Sequence, residues 1–118
     1  MLKLIRREPE SEALATWLRR SAEDIASSPL TETECRRAAQ RLGLDQEAVT
    51  TAMDAVALVR PDDSVFTMAG LLTGRHLRSL DALHITLALR AGCSTMVTYD
   101  DRQAVAARQA GLAVVAPA

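Results

Sequence analysis

Thr95-Met96-Val97-Thr98-Tyr99-Asp100-Asp101, residues 95–101, is the stretch on which the fold turns. Its first five residues make the best strand in the chain, and two adjacent aspartates stand at its carboxyl end. Residues 102–110 read as a helix, Gly111 stops it, and Leu112-Ala113-Val114-Val115 is a last strand before Pro117. Upstream, Ser79 is expected to cap a helix of about twelve residues that Gly92 closes. A basic loop, Arg75 to Arg78, precedes it, and residues 64–73 before that read as a helix ending at Gly74.

The same rhythm runs back to the start. Leu58-Val59-Arg60 before Pro61 is a short strand or a helix end. Val49, Met53, Val56 and Ala57 give a helix one apolar face, with Asp45 as its cap. Ser28-Pro29 opens a helix that runs to Leu42 and stops at Gly43, because proline suits a first helical position. Asp24-Ile25-Ala26-Ser27 is a strand candidate. Residues 2–20 hold two helices broken by Pro9, with Leu2, Ile5, Leu14, Trp17 and Leu18 at helical spacing. Strands near 25, 58, 97 and 114 thus alternate with helices. That pattern predicts an α/β fold of three layers, a parallel sheet flanked by helices. The chain opens directly in a helix, so a first central strand is missing from the expected sheet.

The 118 residues suit one domain, expected over 1–118, with no repeat or linker. Hydrophobic residues make up 48% and charged residues 25%, a globular balance that argues against disorder. Aromatic residues are only 3%, so Leu, Val, Ile and Ala must build the core. The net charge of −1 excludes binding of nucleic acid through overall basicity. Contact with RNA would have to use local arginines and a metal site. Cys35 and Cys93 fit no zinc or redox spacing and read as reduced thiols. With no secretion signal and no long apolar run, the expected location is cytoplasmic, away from membranes.

In open α/β sheets the active site lies beyond the carboxyl ends of the strands. Asp100 and Asp101 stand at such an end. Asp81 falls in the first turn of its helix, and Glu34 in the first turns of the helix after the first placed strand. Helices of a parallel sheet begin on the edge where strands end, so all four acids can gather on one edge. Clustered carboxylates repel unless a divalent cation joins them, and Mg²⁺ or Mn²⁺ prefers oxygen ligands. Two such ions activate water and stabilise the leaving oxygen of a phosphodiester. Each acid also has a plainer structural role open to it. Thr31-x-x-Glu34 fits a capping box, Asp81 suits a helix dipole, and Asp100 or Asp101 can cap the last helix. Thr98 either bonds a ligand or simply favours a strand. Ser79 reads as a cap, and His84, one turn after Asp81, as a structural histidine more than an assistant at the site. Arg75 and Arg78 flank the approach to Asp81, where they either hold RNA phosphates or are solvated.

Three segments, in order, resemble one family. Ser28-Pro29-Leu30-Thr31-Glu32-Thr33-Glu34-Cys35-Arg36-Arg37-Ala38 is similar to the PIN-domain helix whose glutamate binds metal. Arg78-Ser79-Leu80-Asp81-Ala82-Leu83-His84 resembles the motif of the second acid. Met96-Val97-Thr98-Tyr99-Asp100-Asp101-Arg102 resembles that of the third. The likeness to VapC-type toxins covers essentially the whole chain. It implies a five-stranded parallel sheet and a Mg²⁺- or Mn²⁺-dependent endoribonuclease, with Glu34, Asp81 and Asp100 on the metal and Asp101 in support. It also implies a VapB-like antitoxin as partner, and a homodimer. Part of the Leu14, Trp17 and Leu18 stripe would then form the groove for an antitoxin helix.

The family pattern also opens with a strand carrying an aspartate, in a motif like Asp-Thr-Ser-Ala. Met1-Leu2-Lys3-Leu4-Ile5 resembles the helix that follows it. The expectation is an N-terminally truncated PIN-like domain, either through a misassigned start, which we favour, or through true shortening. A truly shortened chain is expected to be destabilised and weak or inactive as a nuclease. One alternative is a catalytically impaired remnant that serves as an antitoxin-binding module. Another is a receiver-like phosphoacceptor, which needs a lysine near the site, whereas Lys3 is the single lysine.

Overall fold

Strands and helices alternate as the sequence predicts. The computed structural model describes residue 16, residues 26–74 and residues 77–117. Apart from Thr16, the helices expected over residues 2–20 and the stripe of Leu14, Trp17 and Leu18 lie outside the described residues. So does Arg75. The described residues fall in two units, one up to Arg60 with Pro117, the other Pro61–Ala116.

The first unit holds β1 (Ala26–Ser27), α1 (Pro29–Leu42), α2 (Gln46–Asp54) and β2 (Ala57–Leu58). β1 and β2 pair in parallel, Ala26 with Ala57 and Ser27 with Leu58. Parallel neighbours need a crossover connection, and α1 and α2 supply it. The N–H of Val59 extends the pairing by donating to the Ser27 carbonyl at 2.8 Å. Pro29 opens α1 at a position whose N–H would have no helical partner. Ser28 precedes it in extended geometry, but its buried hydroxyl makes no capping bond. Gly43 ends α1 in the left-handed region, φ 67°, where a Cβ is penalised. Asp45 then caps α2, its carboxylate accepting from the Glu47 N–H at 2.9 Å.

The two helices close on Cys35, Ala39 and Val49, with Leu44 and Met53 packed against them. Burial pushes the Cys35 thiol above its ordinary pKa, so it stays neutral. At the rim, Arg36 ties the helices together. Its guanidinium donates to Glu32 Oε2 at 2.8 Å, Gln46 Oε1 at 3.1 Å and Thr50 Oγ1 at 3.1 Å. The Gln46 amide returns a bond to the Arg36 carbonyl at 3.1 Å.

The second unit holds α3 (Asp63–Leu71), α4 (Ser79–Arg90), β3 (Thr95–Val97), α5 (Asp101–Gln109) and β4 (Ala113–Val115). β3 and β4 run parallel, with Thr95, Met96 and Val97 opposite Ala113, Val114 and Val115. The four expected strands are therefore present as two parallel pairs, one in each unit. Ile85, Ala107 and Leu112 form the core of this unit, and Leu72, Leu77, Met96 and Val114 pack onto it. Val65 and Ala69, one turn apart on α3, are buried as well. Thr86, in the middle of α4, is 3% exposed, and its hydroxyl has no hydrogen-bond partner among the described residues.

Three helix starts differ from expectation, those of α3, α4 and α5, the last beginning at Asp101 where residue 102 was expected. Asp62 caps α3 through the N–H groups of Ser64 and Val65, which moves that start to residue 63. Arg90, from the last turn of α4, secures the cap by donating to Ser64 Oγ at 2.6 Å and Asp62 Oδ2 at 3.4 Å. The Ser64 hydroxyl first, then Arg90 and the backbone donors, hold the Asp62 carboxyl below its usual range. Ser79 does not cap α4. Arg78 holds the extended cap position, with no side-chain bond to the helix, and Ser79 is already helical.

Candidate active site

The corner between β3 and α5 is built by two side chains. Thr98, buried just after the strand, accepts the Asp100 N–H on its hydroxyl at 3.1 Å. Of its two expected roles it thus takes the bonding one, toward the backbone of an acid. Asp100 then caps α5: its Oδ1 accepts from the N–H groups of Arg102 at 2.9 Å and Gln103 at 3.2 Å. Asp101 is the first residue of α5, exposed at the same corner.

α4 begins beside this corner. Asp81 lies in its first turn and is half-buried. From α5, Gln103 reaches across and donates its side-chain N–H to Asp81 Oδ1 at 3.5 Å. Arg78, Asp81, Asp100, Asp101 and Arg102 together line an open cleft of about 440 Å³. Three acids predicted from the sequence, and Arg78 with them, are therefore brought to one place. The starts of two helices meet there, and their exposed N–H dipoles favour negative charge.

Glu34 belongs to the first unit. It is exposed on α1. The capping box expected around it does not form, since α1 starts at Pro29 and Thr31 is already inside the helix. His84, one turn after Asp81, is half-buried and is not among the residues lining the cleft. Sequence reasoning gave no role to Arg102 or Gln103. Nothing local marks Gln103, whose partner is 22 positions away.

The cleft offers carboxylate oxygens and, among the described residues, neither cysteine nor histidine. That donor set fits Mg²⁺ or Mn²⁺ and not zinc. Among the described residues, no three acidic, histidine or cysteine side chains are grouped closely enough to hold an ion alone. Mg²⁺ commonly keeps several waters and uses one or two carboxylates, so an open cleft of this composition suits it.

The PIN-domain family model matches residues 1–109. The chain belongs to the PIN-domain family. Within the PIN domains its relatives are VapC proteins. It is 40% identical over 120 residues to Ribonuclease VapC46 of Mycobacterium tuberculosis, covering 99% of this chain and 92% of that one. To Ribonuclease VapC35 of the same organism it is 38% identical over 123 residues, covering 99% and 91%. To Ribonuclease VapC47 it is 31% identical over 124 residues, with the same coverage of 99% and 91%. No solved structure matches this PIN domain. Its expected α/β class, its parallel strands and its resemblance to VapC toxins all stand. No helix among the described residues is long and apolar enough to cross a membrane.

Proposed function

We propose that this PIN domain is a divalent-metal-dependent endoribonuclease, the toxin of a VapBC-type pair, restrained by a VapB-like antitoxin and acting as a homodimer. The observation that supports it most is the cleft in which Asp81, Asp100 and Asp101 meet at the starts of two helices, in a chain related to named ribonucleases along its length. Residues 1–118 form one PIN-like domain in this reading, and the family match spans both units.

Asp81 and Asp100 would hold Mg²⁺ or Mn²⁺ with Asp101 in support, and the family resemblance alone adds Glu34 as a further ligand. The chemistry supplied with such an ion bound would be an activated water and stabilisation of charge on the leaving oxygen. The residues themselves set the geometry. Thr98 fixes the backbone of Asp100, and the helix start fixes its Oδ1. Gln103 holds one oxygen of Asp81. Arg75 and Arg78 meet the RNA backbone on its approach. No side chain has to act as nucleophile, so no covalent intermediate is required.

The test is cleavage of a broad RNA pool by the purified chain in Mg²⁺ or Mn²⁺, with and without chelator, beside Asp81→Asn. Cleavage that both the chelator and Asp81→Asn abolish is the expected result. A folded chain that binds antitoxin but cuts no RNA would replace the nuclease with the binding module.

A further inference from the structure

The chain's net charge of −1 gives a polyanion no general attraction. Any grip on RNA has to be local. Among the described residues the cleft has two cations, Arg78 and Arg102. Both are exposed. Neither is in an ion pair among the described residues, although three aspartates line the same cleft.

The position of Arg102 accounts for this. Its backbone N–H is taken by Asp100 Oδ1 at 2.9 Å, and Asp101 is its immediate neighbour in α5. Adjacent residues on a helix do not face one another. The backbone of Arg102 is thus fixed by the cap while its guanidinium stays uncommitted among the described residues. Such a group, held at its base and unpaired at its tip, is ready for an external anion. A guanidinium presents a planar fork that bonds a phosphate through two parallel N–H groups.

We infer that Arg102 anchors a backbone phosphate of single-stranded RNA in this cleft, with Arg78 as the second cation at the start of α4. The inference rests on the nuclease reading above. Three carboxylates and two guanidiniums give the lining a formal charge of −1, which one divalent ion turns to +1. The phosphate therefore seats once the ion is in place, and RNA affinity depends on divalent cation. Phosphate contacts position a strand without reading its bases, so the anchor is indifferent to sequence.

The experiment is fluorescence anisotropy with a short, mixed-sequence, uncleavable 2′-O-methyl RNA, across a salt series in Mg²⁺. Wild type, Arg102→Ala and Arg102→Lys are compared, each also measured for Mn²⁺ binding by electron paramagnetic resonance and for thermal stability. Arg102→Ala is expected to weaken RNA binding about tenfold and to lower the salt slope by about 0.7. Arg102→Lys keeps the charge and loses the fork, so it restores the slope and only part of the affinity. Mn²⁺ binding and melting temperature stay at wild-type values. Unchanged RNA affinity in Arg102→Ala overturns the anchor while leaving the nuclease reading intact. An equal loss of Mn²⁺ binding or of stability overturns it too, by making the role structural. A wild-type chain that neither binds nor cuts any RNA sinks the nuclease reading itself.

Discussion

Oδ1 of Asp100 accepts two backbone N–H groups at the start of α5, so this oxygen serves the helix before it serves any ion. Structure and chemistry can be separated here by substitution. Asparagine caps about as well as aspartate, whereas alanine forfeits the cap at about 1 kcal/mol. Asp100→Asn is expected to melt near wild type and Asp100→Ala a few degrees lower, with RNA cleavage lost in both. Calorimetry beside a cleavage assay checks this; an Asp100→Asn chain that still cuts would remove Asp100 from the metal site. The acids themselves were legible in the sequence, because carboxylates at a strand end and in a helix's first turn carry local signals. Gln103 was not legible. Its bond to Asp81 exists only because α4 and α5 lie side by side, which no window of neighbouring residues contains. Arg102 was in plain view, but its lack of an ion pair among the described residues is a fact of three dimensions.

At the scale of elements, caps decided where helices begin. Gly43 and Asp45 behave as read, since a glycine stop and an aspartate cap act on their own neighbours. The starts of α3 and α4 each differ from the reading by a single residue, because several polar residues in a row compete for the cap. In Asp62-Asp63-Ser64 the first aspartate wins, aided by Arg90 from the far end of α4. The lowered pKa of Asp62 carries a pH dependence. The ionised cap stabilises the fold above the ordinary carboxylate value, and that stability is lost as pH falls through the lowered folded value. The melting-temperature gap between wild type and Asp62→Ala is therefore expected to be widest near neutrality and to shrink in acid. A gap that widens in acid would contradict it. Gly43 gives a second test. A Cβ there meets nothing within 4 Å, so the cost of Gly43→Ala is purely that of its backbone, about 1 kcal/mol. Gly43→Asn, which tolerates positive φ better, is expected to cost less in chemical denaturation.

For the whole molecule, the parallel character of the strands followed from their alternation with helices. Their pairing, β1 with β2 and β3 with β4, did not, because strands of two or three residues carry too little pattern to name a partner. Each unit has its own small core, one around Val49 and one around Ile85, both fully buried. Ile85→Ala is expected to cost about 2–5 kcal/mol, and Val49→Ala about 2 kcal/mol. If residues 1–118 are one cooperative domain, both substitutions lower the same single melting transition. Two transitions, each moved by only one of the substitutions, would show that the units fold separately.

The hydroxyl of Thr86 is buried without a hydrogen-bond partner among the described residues. It therefore bears the cost of leaving water and returns nothing for it. Valine has the same shape and no such cost, so Thr86→Val is expected to raise stability by about 1 kcal/mol. Equal or lower stability would mean that the oxygen has a use. Thr86 is not among the cleft residues, so the exchange offers a practical route to a sturdier chain. Combined with Asp81→Asn, it would give an inert, long-lived chain for capturing the proposed antitoxin.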